Sequence, residues 1–343
     1  MRLLITTQAV DLDDPVLAFF HRWIEEFAKN ADSVEVICLK EGRHALPKNV
    51  TVHSLGKEGG RSVLKYIGRF YKYSWTLRKR YDAVFVHMNP EYLVLGGLLW
   101  TLLRKRVGLW YIHPRSTLGL RYGMLYARVI LSATAKSFPL KSKKIVPVGH
   151  GVDTDFFAPG DMPLSNVLRI MCAARIAPVK RLECMIDATA ELVKRRTPVL
   201  FDYYGEELPR DAAYAKKMRT HAESVGAWSF RGRATQEQIR DAYRTHDAHV
   251  NATDTGSFDK AVFESMACGT ITVASNKALE EVLPRELMFD QGDPLALAKV
   301  LGHIAQMSQA DRGALSARLR EVAVQHYSLS ALIGKILDPL MYA

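Results

Sequence analysis

Short runs of β-branched and apolar residues recur along this chain, and between them apolar residues return every three or four positions. Runs of that kind separated by helical stretches build a parallel sheet covered by helices. Those at residues 2–7, 34–39, 50–55, 83–88, 107–112, 129–132 and 145–148 predict one sheet, and those at 168–174, 199–203, 248–252 and 271–275 a second. At 343 residues the chain exceeds one ordinary core and suits two domains of roughly 150–180 residues each. The reading is therefore α/β, with two Rossmann-like domains at residues 1–155 and 156–328 and the boundary within 151–159.

The second half carries the clearer local signals. A helix is expected from about Val179, with Leu182, Met185, Ile186 and Val193 on the face that meets the sheet. Thr235 and Gln238 stand at capping-box spacing before a helix through Tyr243. Gly269 ends the helix that carries Glu264, and Asp293-Pro294 has N-cap and N1 chemistry for another.

Between the run at 168–174 and its helix lies RIAPVK, residues 175–180, answered downstream by Glu264 in FDKAVFESMACG. A guanidinium leaving a strand end and an ammonium at the next helix start can grip a diphosphate together, aided by the positive end of the helix dipole. A carboxylate can hold ribose hydroxyls. Arg175, Lys180 and Glu264 thus suit a nucleotide-sugar site, while spacing alone also describes a solvated loop and a carboxylate that complements a helix dipole. The Asp-x-Asp pairs Asp11/Asp13 and Asp153/Asp155 read as structural, so no metal is expected.

Hydrophobic residues make up 48% of the chain and charged residues 24%, which excludes a disordered chain. Cys38, Cys172, Cys184 and Cys268 lie far apart without CxxC spacing, so neither a zinc site nor a disulfide framework is indicated, and a reducing cytosol fits. The opening MRLLITTQAVDLDDP turns acidic too early for a signal-peptide core, and the apolar stretch at 92–103 reads as a buried helix whose glycines allow close packing.

Charge is uneven: residues 1–155 hold 24 Lys and Arg against 13 Asp and Glu, whereas 156–343 hold 23 of each. The first half therefore carries the whole net charge of +11 and should attract anionic surfaces or substrates. Within it, residues 61–80 contain seven Lys or Arg, five aromatics and no acid. Arg61, Lys65, Arg69 and Lys72 form one helical stripe, with Leu64, Ile67 and Tyr71 turned elsewhere. This is either an amphipathic helix suited to anionic lipid or a solvated helix face. Nucleic acid is not expected, since no recognised module accompanies the pattern.

Three motifs in order, PVGHGVDTDFF (residues 147–157), the strand-RIAPVK-helix unit and FDKAVFESMACG, resemble the retaining GT-B glycosyltransferases of family 4, the glycosyl transferases group 1. The resemblance covers nearly the whole chain. It implies a GT-B fold, two Rossmann-like domains facing across a cleft, with residues 329–343 crossing back to the N-terminal domain. It further implies that Arg175 and Lys180 bind the donor diphosphate and that Glu264 binds the ribose. Gly205, Gly232 and Arg233 would lie at the base, and His113, in LWYIHP, would face the donor sugar. The donor would be a UDP- or GDP-sugar, with no cofactor, and the incoming hydroxyl would attack from the leaving-group side.

Two departures from the family pattern stand out. The glutamate usually found eight positions before Glu264 is replaced by Gly256, in DTGSFDKAVFE. Asp259 or Asp254 can substitute, backbone amides of Gly256, Ser257 and Phe258 can meet the sugar alone, or activity is weakened or lost; the sequence leaves these open. The glycine pair of the first strand-helix loop is replaced by DLDDP, which caps the following helix or favours a hydroxyl-rich acceptor. The resulting expectation is a cytoplasmic, metal-independent, retaining hexosyltransferase, peripheral at the membrane, acting on a glycolipid or polysaccharide-precursor acceptor. Its alternatives are a catalytically degenerate GT-B protein that binds a nucleotide sugar, and a nucleotide-sugar epimerase on the same fold.

Overall fold

Alternation along strand β1 (Arg2–Val10) sends Leu3 and Ile5 to one side of a sheet and Leu4 to the other, all fully buried. Burial on both sides is what a parallel sheet covered by two helix layers requires. The chain continues through α1 (Phe20–Lys29), β2 (Ser33–Glu41), β3 (Val50–Ser54), α2 (Val63–Thr76), β4 (Ala83–His87) and α3 (Glu91–Leu102). Then come β5 (Arg106–Trp110), α4 (Leu118–Tyr126), β6 (Val129–Ser132) and β7 (Ile145–Pro147). The seven strands pair in parallel in the order β3-β2-β1-β4-β5-β6-β7. Helices α2, α3 and α4 bring Phe70, Trp100 and Leu120 to one face of the sheet, and α1 covers the other with Phe20, Trp23 and Phe27.

A second sheet follows, from β8 (Leu168–Ala173), α5 (Leu182–Lys194), β9 (Val199–Tyr204), α6 (Ala212–Val225), β10 (Trp228–Gly232), α7 (Gln236–Thr245), β11 (Ala248–Asn251), α8 (Lys260–Ala267) and β12 (Ile271–Ala274). Its parallel order is β10-β9-β8-β11-β12. Helices α9 (Pro294–Gln306), α10 (Gln309–Tyr327) and α11 (Leu329–Tyr342) complete the chain.

This computed structural model describes residues 1–14, 16–60, 62–113, 115–134, 138–161, 165–253 and 259–342. They divide into unit 1, Met1–His150 with Leu329–Ala343, and unit 2, Gly151–Ser328. Residues 151–155, expected with the first half, lie in unit 2, where Val152 bridges to Ser328. In unit 1, α11 lays Leu332, Ile333, Ile336 and Leu340 on the same face as α1, and Arg106 donates to the Met341 carbonyl.

The capping signals in unit 2 are present. Thr235 and Gln238 close a capping box, and Asp293 Oδ1 accepts from Leu295 and Ala296 at 2.9 Å. Two details differ from expectation. Pro178 starts a separate 3₁₀ turn over Pro178–Lys180, so α5 begins only at Leu182, after Arg181 in the left-handed region at φ 50°. The buried stripe of α5 ends on Leu192, which leaves Val193 exposed. In unit 1, α3 is buried on one side only, and Val94, Leu98 and Leu102 on its other side are exposed. No helix among the described residues is long and apolar enough to cross a membrane.

Candidate functional site

In unit 2 the chain runs from central strand β8 outward through β9 and β10, then returns to place β11 and β12 on the other side. Loops leaving β8 and β11 therefore diverge, and such a switch point at the carboxyl edge of a parallel sheet is where ligands bind. Lys180 arrives from the β8 side; Asn251, Thr253 and Asp259 arrive from the β11 side.

They meet there. Lys180 Nζ donates to Asp259 Oδ2 at 2.5 Å and to Thr253 Oγ1 at 3.1 Å, and Asn251 Nδ2 donates to the same Asp259 oxygen at 3.1 Å. Burial pushes the Asp259 carboxyl up, but the Lys180 charge and the bonds from Lys180 and Asn251 outweigh it and hold the group below its ordinary value. An ammonium has three donors. Two of those of Lys180 are taken by these oxygens among the described residues, which leaves one for a further acceptor. Arg175 stands exposed at the same edge and makes no ion pair among the described residues, while its carbonyl accepts from the buried Tyr203 hydroxyl at 3.0 Å.

The neighbouring loops close on one another. Gly205, with φ 145°, donates its N–H to the Gly232 carbonyl at 2.8 Å, and a Cβ on Gly205 would sit 1.9 Å from the Ala174 carbonyl oxygen. Only glycine allows these backbones to approach so closely. The Arg233 N–H meets Glu206 Oε1 at 3.4 Å, so Glu206 lies beside the pair of glycines. Glu264 sits half-buried on α8, five residues after Asp259 at the helix N-cap. Beneath the two carboxylates lies Tyr243, whose hydroxyl is driven well above tyrosine's ordinary range by burial and by the charges of Glu264 and Asp259.

The structure thus brings Lys180 to Asp259 and Gly205 to Gly232. Gly256, Ser257, Phe258 and Asp254 lie outside the described residues, as does Arg61. Asn251, Thr253, Glu206 and Tyr243 were not singled out from sequence. The first two follow directly from the end of a central parallel strand, and that position was the signal for them.

Unit 1 has a cavity of about 560 Å³ at the carboxyl edge of its own sheet, again where β1 and β4 diverge. Gln8, Lys40, Asn89, Glu91, His113 and Arg115 are among its lining residues. Gln8 Nε2, on β1, donates to Asn89 Oδ1 at 3.2 Å, and Met88, the residue that follows β4, is held at φ 62°. Such a conformation costs a side-chain-bearing residue of order 1–3 kcal/mol and gathers at functional sites. Buried His87 stacks on Phe20 at 3.9 Å and shares a hydrogen bond of 3.2 Å with Thr7 Oγ1. His113 is exposed, and its Nδ1 accepts from the Arg115 N–H at 3.1 Å.

The Asp-x-Asp pairs are engaged in turns and ion pairs. Asp11 bonds Lys40 at 3.0 Å and Asp13 bonds Arg43 at 2.7 Å, while Asp153 accepts from the Asp155 and Phe156 amides at 3.1 and 3.0 Å. Asp14 Oδ1 accepts from Val16 and Leu17 at 2.9 and 2.8 Å, which caps the turn before α1; the N-cap position of α1 itself is Phe19. On the basic helix of unit 1, Lys65 and Lys72 are exposed, whereas Arg69 is half-buried with its guanidinium over Gly56.

Residues 168–307 match the family Glycosyl transferases group 1. The match starts with β8 and ends just after α9, so it contains Arg175, Lys180, Gly205, Gly232, Asp259 and Glu264. A D-inositol 3-phosphate glycosyltransferase of Streptomyces scabiei is 26% identical over 204 residues, 53% of this chain and 44% of that protein. The chain spans less than half the length of the curated relatives it matches. Among solved structures, HepE of Anabaena in complex with UDP and glucose superposes with a TM-score of 0.73 at 16% identity over the full length of both chains. Sucrose-phosphate synthase of Thermosynechococcus elongatus does so with 0.70 at 15%, over 98% of each. The chain has the GT-B fold.

Proposed function

We propose that this chain is a glycosyltransferase that takes its donor sugar from a nucleotide, UDP foremost, and works with retention and without a metal. The observation that carries the reading is the Lys180–Asp259–Thr253 cluster at the switch point of unit 2, inside the stretch that matches Glycosyl transferases group 1. The UDP and glucose bound by HepE, on the same fold, favour UDP as the base-bearing group.

Cleaving the sugar-phosphate bond builds negative charge on the departing diphosphate and positive charge on the sugar. Arg175 and the remaining donor of Lys180 stabilise that leaving group. Asp259 and Thr253 hold the ammonium in place beforehand, so little reorganisation is needed as charge develops. Glu264 holds ribose hydroxyls, and the base lies against the closely approaching backbones of Gly205 and Gly232, with the Arg233 segment beside it. A diphosphate oxygen takes the proton of the incoming hydroxyl on the side it departs from, so no protein nucleophile is required. The acceptor, a glycan or a lipid-linked precursor, enters the unit 1 cavity, where Gln8, Asn89 and His113 offer polar contacts.

A second reading, a GT-B protein that binds a nucleotide sugar without turnover, is favoured by one fact: a carboxylate already occupies the ammonium expected to serve the diphosphate. A thermal-shift panel of UDP, GDP, ADP and their common sugars, run on wild type and Arg175→Ala without added metal, tests the site. Stabilisation by UDP or a UDP-sugar that disappears in the variant is expected, and no shift with any nucleotide sinks both readings. Turnover of the stabilising donor in an acceptor screen then separates transferase from binding protein.

A further inference from the structure

Helices α2, α3 and α4 share one face of the unit 1 sheet and turn apolar side chains away from it as well. Leu64 is 85% exposed, Leu98 60%, Leu102 73%, Tyr122 62%, Leu125 69% and Trp75 52%. Leu98 and Leu102 are one turn apart on α3, as Tyr122 and Leu125 are on α4. The two helices lie close: a Cβ on Gly97 would come within 2.3 Å of Tyr126, and one on Gly123 within 2.9 Å of Leu93. Their stripes therefore join into one surface rather than two separate ridges. Contiguous apolar surface of this kind is rare on proteins that keep to water and marks a docking site.

Charge selects the occupant. Residues 63–128 hold 12 Lys and Arg and only the acids Asp82 and Glu91. Lys65, Lys72, Arg104, Arg121 and Arg128 are exposed on and around these helices. A second copy of the chain would bring the same cations against each other, whereas an anionic bilayer meets both the charge and the apolar side chains. Tyr71, Trp75 and Tyr122 suit the headgroup level between them. We infer that the outer face of α2, α3 and α4 docks on an anionic lipid bilayer.

The consequence for unit 1 is geometric. Glu91, the first residue of α3, and Thr117, the N-cap of α4, both line the cavity. Two of the three helices that would rest on lipid, α3 and α4, thus begin at that opening. On the reading that the cavity takes the acceptor, a lipid-linked acceptor would reach it without leaving the membrane; the docking itself does not rest on that reading.

Co-sedimentation of the full chain with vesicles of phosphatidylcholine alone and with vesicles containing phosphatidylglycerol tests the inference. Wild type is expected to sediment with the anionic vesicles, to release as salt rises, and to leave neutral vesicles largely unbound. Lys65→Gln/Lys72→Gln/Arg121→Gln should weaken partitioning by roughly fivefold per cation removed. Leu98→Ser/Leu102→Ser keeps the net charge and should also release the protein, with a melting temperature and UDP response like wild type. Leu102→Ser alone, at the end of α3, covers the case in which the double variant does not fold. No sedimentation with anionic vesicles overturns the inference, as does binding unchanged in both serine variants. A lipid-free dimer that the serine substitutions abolish would instead assign the face to a second copy and equally overturn it.

Discussion

Lys180 Nζ and Asp259 Oδ2 lie 2.5 Å apart and join the loop that leaves β8 to the loop that leaves β11. The pair spans the switch point of the unit 2 sheet, so the cation reaches a ligand only through a position that Asp259 has fixed. Both side chains are partly shielded from solvent, with exposures of 18% and 24%, which strengthens the pairing relative to one in bulk water.

Lys180→Ala should lower kcat about 10²- to 10³-fold, roughly 3–4 kcal/mol, the usual effect of losing one donor to a charge that develops in the transition state. Folding should change less, because Asn251 still bonds the Asp259 carboxylate. Steady-state kinetics with the donor found in the thermal-shift panel, beside a melting curve, decides this. A raised KM with kcat intact would place Lys180 in ground-state binding only.

Asp259→Asn removes the negative charge nearest the ammonium. UDP should then bind more tightly, by up to about tenfold, since a diphosphate no longer shares Lys180 with a carboxylate. Turnover should fall, because the ammonium loses the partner that orients it. Calorimetric titration of UDP against both proteins gives the first quantity and kinetics the second. Weaker UDP binding in the variant would mean that Asp259 organises the site more than it competes for it.

Most of the fold was legible because runs such as 34–39 and 129–132 are rich in β-branched and apolar residues and too short for a helix, which suits a strand of a buried parallel sheet. Arg175 and Lys180 were legible by place, at a strand end before a helix. The contact between Lys180 and Asp259 was not, since it joins positions 79 residues apart and depends on β11 lying beside β8. The start of α5 was misplaced because Pro178 opens either an α-helix or a 3₁₀ turn, and the left-handed Arg181 that separates them has no sequence mark. The outer side of α3 was misread for another reason: LVLGGLL is apolar all round, a pattern that says nothing about which side is covered.

Gly205→Ala should be among the most damaging small substitutions in unit 2. At φ 145° the backbone conformation disfavours any side chain, and the added carbon would fall 1.9 Å from the Ala174 carbonyl oxygen, an atom of backbone that cannot swing aside. The loop must move, which breaks the Gly205–Gly232 hydrogen bond. A loss of at least about 1–3 kcal/mol in denaturant unfolding is expected, together with a loss of the UDP-induced shift. Gly226→Ala is the control. It also has positive φ, 74°, but its added carbon meets nothing, so it should cost stability and leave the nucleotide response intact.

His249, in the middle of β11, makes stability depend on acid. Its Nδ1 shares a 3.1 Å hydrogen bond with Ser265 Oγ, its Nε2 is buried without a partner among the described residues, and burial lowers its pKa from 6.5 to about 4. The folded protein therefore keeps the ring neutral where the unfolded chain has already protonated it. Between pH 6.5 and about 4 the unfolded state binds more protons, so stability falls as pH falls through that window and this contribution is intact above it. The full effect is on the order of 3 kcal/mol. His249→Asn keeps a polar atom near Nδ1 and removes the titration, so its stability should start lower at neutral pH and decline less on acidification. Urea midpoints of both proteins across that range test the sign as well as the size, because carboxylates that titrate in both cancel in the difference. Parallel pH profiles would show that His249 is protonated as readily in the fold as outside it.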